Sequence, residues 1–190
     1  MNLTAIRDPD EIVTRHFGES LFAARHLFPH RTLNQRNSAS SALQDSSAVS
    51  LADLGSGAGF PGIPIKLWAP QLAVTLIESN HKKATFLREI TRALTLTDIN
   101  IQTLRAESLL GDAFQVVTLR AVERFTRILP TAATLLAPQG RLALLIGVAQ
   151  HSQATSTLPN FSWSAEIPIP LSMTRILLIG EKQRSLQVPA

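Results

Sequence analysis

From Val49 onward the chain alternates short apolar runs with longer stretches in which apolar residues recur every three or four positions. The short runs, at 49–54, 73–78, 99–104, 114–119 and 141–147, predict buried strands. The spacing over 61–69, 80–95 and 124–136 predicts helices. Regular alternation of the two predicts a mostly parallel sheet with helices on both faces, a doubly wound α/β fold. Pro70 separates the first of these helices from the second strand, and Pro138-Gln139-Gly140 separates a later helix from the fifth. A polar stretch follows residue 148. Two further extended segments, Phe161 to Ile169 and Arg175 to Glu181, predict an antiparallel pair that completes the sheet.

Ahead of the sheet, Ile12, Val13, Phe17, Leu21, Ala24, Leu27 and Phe28 recur at helical spacing and predict one amphipathic helix over 9–28, packed on the main domain. Asp8 is its expected N-cap, Pro9 its first residue, and Glu11 reaches back as in a capping box. Pro29 ends it. Residues 30–47, rich in serine and asparagine, read as a linker. The expected organisation is therefore an N-terminal helical extension over 1–28, a linker over 29–48 and the sheet domain over 49–190.

Composition narrows this picture. The 190 residues, 45% of them hydrophobic, suit one domain with a sizeable core. The longest apolar run, Leu142 to Ala149, is strand-sized, far short of the roughly 18 residues a membrane span needs. The first residues, Met1 to Arg7, lack the pattern of a secretory signal, so the expected location is cytoplasmic. With no cysteine there is neither a disulfide nor a cysteine nucleophile. A net charge of +4 and a pI near 10.3 permit a polyanionic partner such as RNA.

The chemistry is concentrated in Asp53 to Gly62, D-L-G-S-G-A-G-F-P-G, which stands between a predicted buried strand and a predicted helix. Gly55, Gly57 and Gly59 allow positive φ and close approach of a ligand to the backbone. Phe60 occupies the place where a dinucleotide fingerprint needs glycine, and the G-K-[ST] of a phosphate-cradling loop is absent. An acid two residues before G-x-G-x-G is instead the arrangement of class I methyltransferases that use S-adenosylmethionine. Asp53 then accepts hydrogen bonds from the loop or from the ligand's ammonium.

Further candidates fall at the carboxyl ends of predicted strands, where open parallel sheets bind ligands. Glu78 ends the second strand at a distance suited to gripping a ribose diol; a helix-capping acid is the alternative. Ala106 and Glu107 follow the third, where a backbone amide and an acceptor can read an adenine edge; a solvated loop acid is the alternative. Arg120 ends the fourth, facing either a cofactor carboxylate, an RNA phosphate or a surface ion pair. Lys82, Lys83, Arg88 and Arg92 read as the solvated face of a helix. The histidines show no metal-ligand spacing, so no metal is expected.

The assembled motifs resemble the RsmG (GidB) family of methyltransferases, which modify guanine N7 in 16S ribosomal RNA. The matching stretches are Asn2-Leu3-Thr4-Ala5-Ile6, the segments around His16-Phe17 and Ser20-Leu21, and L-A-D-L-G-S-G-A-G-F-P-G-I-P. Further matches are I-E-S with Lys82-Lys83 and Phe86-Leu87, Arg105-Ala106-Glu107, Arg120-Ala121 and Gly140-Arg141. The resemblance implies a Rossmann-like class I methyltransferase fold with a seven-stranded sheet and a helical N-terminal part. It implies S-adenosylmethionine as cofactor, with Gly55, Phe60, Ala106, Glu107 and Arg120 at contacting positions and Glu78 as the ribose acid. It implies 16S ribosomal RNA or the small ribosomal subunit as partner, and a monomer without metal or membrane. The chain departs from the family at Ile146, where a Lys usually precedes the glycine ending the fifth strand, and at Glu19, Gln115 and Leu119.

Guanine N7 carries a free lone pair and no proton, so its methylation requires alignment and no general base; no catalytic base is expected. Competing readings are a methyltransferase acting on a small molecule or protein, a non-catalytic protein that binds S-adenosylmethionine or RNA, and a nicotinamide-dependent oxidoreductase, which Phe60 disfavours.

Overall fold

The computed structural model describes residues 8–29, 48–109, 111, 113–122 and 124–183. Most of the expected linker and the Asn2 to Ile6 match lie outside the described residues.

The sheet is built from β1 (Ser50–Leu54), β2 (Ala73–Ile77), β3 (Ile99–Gln102), β4 (Phe114–Arg120), β5 (Leu136–Gly147), β6 (Phe161–Trp163), β7 (Ile167–Pro168) and β8 (Arg175–Lys182), in the order β3-β2-β1-β4-β5-β8-β6. The first five strands are parallel, and β8 runs antiparallel between β5 and the β6/β7 edge. Since β6 and β7 pair with successive parts of β8, the eight segments fill seven strand positions, as the extended pattern predicts. The buried strands read as near-continuous apolar runs because helices cover both faces.

Successive strand residues point to opposite faces, and the core divides accordingly. On one face Leu51, Val74, Leu76, Val116, Ala143, Leu145 and Leu177 pack under Ala23, Ala24 and Leu27 of α2 (Glu19–Leu27), Ile63 and Ile65 of α3 (Gly62–Trp68), and Leu87 of α4 (His81–Ala93). On the other, Ala52, Leu54, Val117, Leu119, Leu142 and Leu144 pack under Phe125, Leu129 and Ala132 of α5 (Phe125–Leu135) and Ala154 of α6 (His151–Thr157). Chain direction across the sheet reverses between β1 and β4, which are neighbours. That pair is the topological switch point of the fold.

Four local expectations need correction. The leading helix is helical throughout but not uniformly: α1 (Pro9–Glu11) passes into a π-wound segment, Ile12–Gly18, before α2. Nor does it bury the expected apolar stripe: Val13, Phe17 and Leu21 are exposed, at 59%, 40% and 38%, and His16 is the buried residue of the π-wound segment. Asp8 caps the start, its Oδ1 accepting from Glu11 N–H at 2.8 Å. Glu11 turns its side chain to Arg15 at 2.7 Å and does not close a capping box. The polar stretch after residue 148 contains α6, whose residues are poor helix formers; it folds because Ala154 and Leu158 are buried against α5 and the sheet. Finally, β5 begins at Leu136, with Pro138-Gln139-Gly140 inside the strand at a break in register where Gln139 takes φ 62°.

Candidate active site

A cavity of about 480 Å³ opens at the carboxyl ends of β1, β2, β3 and β4, across the switch point. Its floor is the turn after β1. There Gly55 and Ser56 both donate to Ile77 O, at 2.9 and 3.1 Å, and Gly59 N–H closes the loop on Ser56 O at 2.7 Å. The loop can fold this tightly because Gly55, Gly57 and Gly59 take φ of 70°, 57° and 93°, a region that penalises side chains. At Gly55 a Cβ would also come within 3.2 Å of the Val122 side chain across the cavity.

Asp53 holds the loop from beneath. It is wholly buried; Oδ2 accepts from Gly62 N–H at 3.1 Å and Oδ1 from the Thr118 hydroxyl at 2.8 Å. Burial pushes its pKa up to about 6, against the lowering effect of those hydrogen bonds. Of the two roles expected for Asp53, the structure shows the first: it accepts from the loop and lies sealed from the cavity.

Glu78 lines the cavity and is itself positioned by backbone. Oε2 accepts from Gly57 N–H at 3.0 Å and Oε1 from Asn80 N–H at 2.8 Å, which fixes the carboxylate and leaves further lone pairs on both oxygens. The helix after it is capped by Asn80, whose Oδ1 accepts from Lys82 and Lys83 N–H at 3.0 and 3.2 Å. The capping role is thus taken by Asn80. Ala106, buried, and Glu107, exposed, line the wall beyond β3, and Leu104, Val122 and Ile128 make its apolar sides.

Phe60 and Arg120 do not line this cavity. The Phe60 ring stacks on His16 at 5.0 Å and meets Phe17 edge-on at 4.9 Å, tying the glycine loop to the leading helix. Arg120 is covered by that helix: Nε is 3.1 Å from Glu19 Oε2, and Nη2 reaches Arg15 O at 2.9 Å and His16 Nδ1 at 2.8 Å. Of the alternatives weighed for Arg120, the structure forms the ion pair, and it is buried and not at the surface. Because His16 Nδ1 accepts from a guanidinium, the ring is neutral; burial, then Arg120, lowers its pKa. Glu19, 3% exposed, also faces Arg175, whose Nε is 2.8 Å from Oε1 but too poorly aligned for a hydrogen bond. The family comparison marked Glu19 only as a departure, and its role escaped the sequence because its partners lie far along the chain on β4 and β8.

The cavity also takes Lys83, Arg105 and Arg124, which spacing alone did not single out as site residues. Lys83 corrects the reading of the α4 cations as a wholly solvated face. Ile146, 3% exposed, is packed on the α5 and α6 side of the sheet and does not line the cavity. Among the described residues no group of three or more His, Asp or Glu is placed to hold a metal ion, and no helix is long and apolar enough to cross a membrane.

A switch-point cavity over a glycine turn, with an acid at the end of the second strand, is the ligand arrangement of class I methyltransferases. A family model described as rRNA small subunit methyltransferase G (GidB) matches residues 1–172. The chain belongs to this family. Relatives in the small subunit methyltransferase G family include the protein of Xylella fastidiosa strain 9a5c, 37% identical over 177 residues, covering 92% of this chain and 73% of that one. The protein of the same name from Xanthomonas axonopodis pv. citri is 41% identical over 153 residues, 80% of this chain and 63% of that one. Among solved structures, the ribosomal protein L11 methylase of Lactobacillus delbrueckii subsp. bulgaricus superposes with a TM-score of 0.66 over 87% of this chain and 77% of that one. At 13% identity it supports the fold alone.

Members of the methyltransferase G family transfer a methyl group from a bound donor to ribosomal RNA. The cavity suits such a donor on three counts: its volume falls in the roughly 300–1,000 Å³ range of small-molecule sites, its loop would be obstructed by a Cβ at Gly55, and its polar and apolar walls match a nucleoside with charged ends.

Proposed function

We propose that this chain transfers the methyl group of S-adenosylmethionine to N7 of a guanine in 16S ribosomal RNA, at the cavity on the β1/β4 switch. The observation that carries this reading is the convergence of Gly55, Glu78, Ala106 and Glu107 on one cavity in a chain of the methyltransferase G family.

The cofactor, when bound, supplies a methyl group activated by its sulfonium. The chain's residues bind and orient. Glu78, fixed by Gly57 and Asn80, presents free lone pairs to two vicinal ribose hydroxyls. Ala106 and Glu107 flank the adenine position, with Leu104 and Ile128 as apolar walls. Gly55 lets the methionine portion lie against the backbone. Phe60 and Arg120 act from outside the cavity, bracing the leading helix against the glycine loop and the end of β4. The guanine N7 lone pair attacks without loss of a proton, so the chain must align nucleophile and methyl and keep water out. No residue is assigned as a general base. A reaction on ribosomal RNA belongs in the cytoplasm, where ribosomes are assembled.

The test is transfer of labelled methyl from S-adenosylmethionine to small ribosomal subunits from a strain lacking the modification, with the labelled nucleotide mapped. Label at one guanine N7 is expected. Tight cofactor binding with no label on subunits or on free 16S RNA would overturn the substrate assignment.

A further inference from the structure

Among the described residues, three cations line the cavity against two acids, and one of the acids, Glu78, is already held by two backbone N–H groups. Lys83, Arg105 and Arg124 come from the carboxyl-side connections after β2, β3 and β4, so they stand around the mouth from three directions. None has a side-chain hydrogen bond or ion pair among the described residues. Other arginines along the same edge are engaged: Arg120 and Arg175 face Glu19, and Arg88 donates to Thr103 at 2.5 Å.

Arg124 also serves its own backbone poorly. It sits at φ 54°, ψ 48°, a left-handed conformation that disfavours a side chain, and it precedes α5 without capping it. Its positive charge stands at the end of the helix that favours anions. A serine, asparagine or glycine would suit the local structure better. The local structure therefore gives no reason for an arginine here, and the side chain is exposed along the cavity wall.

S-adenosylmethionine carries one carboxylate, one ammonium and one sulfonium, a net charge of about +1. Such a ligand can use one of these cations at most. RNA presents a phosphate on each side of the target base, and a base drawn into the cavity leaves both at the mouth. We infer that Arg124, with Lys83 and Arg105, binds the RNA phosphates flanking the target guanine and positions the base for transfer. Exposed Arg127, one turn beyond Arg124 on α5, and Lys82, beside Lys83, extend the cationic band away from the mouth.

This inference rests on the proposed RNA substrate. Its test measures binding of 16S RNA by the full chain in the presence of S-adenosylhomocysteine over a range of salt, alongside calorimetry with S-adenosylmethionine. Arg124→Ala is expected to weaken RNA binding roughly three- to tenfold at low salt and to reduce the slope of log affinity against log salt by about 0.7–0.9. The cofactor dissociation constant should stay within about twofold. Arg124→Lys should recover most of the RNA affinity. Arg124→Gly, which suits the left-handed backbone, should lose RNA binding as Arg124→Ala does, so that a folding defect cannot mimic the result. Unchanged RNA affinity and salt slope in both the alanine and glycine variants would overturn the inference while leaving the methyltransferase reading intact. So would weakened cofactor binding with RNA binding unchanged, which would assign Arg124 to the cofactor carboxylate. A wild-type chain that binds no RNA would overturn both.

Discussion

Replacing Asp53 by Asn tests the claim that a buried carboxylate braces the glycine loop at a cost that grows with pH. The carboxylate is sealed from solvent, and its pKa rises from 3.8 to about 6 on folding, chiefly through burial. Below about pH 4 the acid is protonated in both states and folding is not penalised. As pH rises from 4 to 6 the unfolded chain releases its proton while the folded chain keeps it, so stability falls. Above about pH 6 both states are ionised and the loss is complete. Two pKa units correspond to about 3 kcal/mol, of which roughly 1.4 kcal/mol falls between pH 5 and pH 8.

Asparagine fits the same geometry without titrating. Its Oδ1 can accept from Gly62 N–H, and its amide can donate to Thr118 Oγ1, whose proton can turn to Ala52 O at 3.4 Å. Urea unfolding of the wild type and Asp53→Asn at pH 5 and pH 8 should therefore show the variant gaining about 1.4 kcal/mol on the wild type across that interval. A stability difference between the two proteins that stays constant with pH would show that Asp53 does not change its pKa on folding.

Glu19→Ala leaves Arg120 and Arg175 without their buried carboxylate and should cost about 3–5 kcal/mol, read as a fall in melting temperature of roughly 6–20 °C. Gly55→Val places a branched side chain at φ 70° facing Val122 and should abolish cofactor binding in calorimetry while the fold, followed by circular dichroism, persists; an unchanged dissociation constant would contradict the cofactor assignment. Lys66 is 2% exposed and donates from Nζ to Pro70 O and Leu72 O, both at 2.6 Å. Lys66→Ala should therefore cost about 2–4 kcal/mol through lost packing and two unpaired carbonyls, measured by chemical unfolding.

The strands and helices of the sheet domain could be read from the sequence because buried parallel strands and the helices covering them leave strong, distinct periodicities. The glycine turn was equally legible: three glycines within five residues supply the positive φ that Gly55, Gly57 and Gly59 take, a conformation that strains most other residues. Glu78 could be placed by its distance from that turn, since strand and helix lengths in the first βαβ unit are tightly constrained. α6 was not legible, because its stability comes from burying Ala154 and Leu158 and not from local preference. Nor was the buried side of the leading helix: Val13, Phe17 and Leu21 recur at helical spacing yet stay exposed, while His16, Glu19 and Ser20 are buried.

Sequence alone was enough for the doubly wound class, for the glycine loop and the acid after β2, and for the resemblance to the family. The elements and the loop depend on residues near one another in the chain, where bond geometry and local sterics leave few choices, and the family on a series of such short motifs. Tertiary structure decided which charged groups meet. It gave Arg120 to Glu19 and the leading helix, turned Phe60 from the cavity toward His16 and Phe17, and brought Lys83, Arg105 and Arg124 to one mouth. Those outcomes depend on how the leading helix docks and where successive loops emerge from the sheet. Both are fixed by packing between residues far apart in the chain, which a local pattern cannot encode.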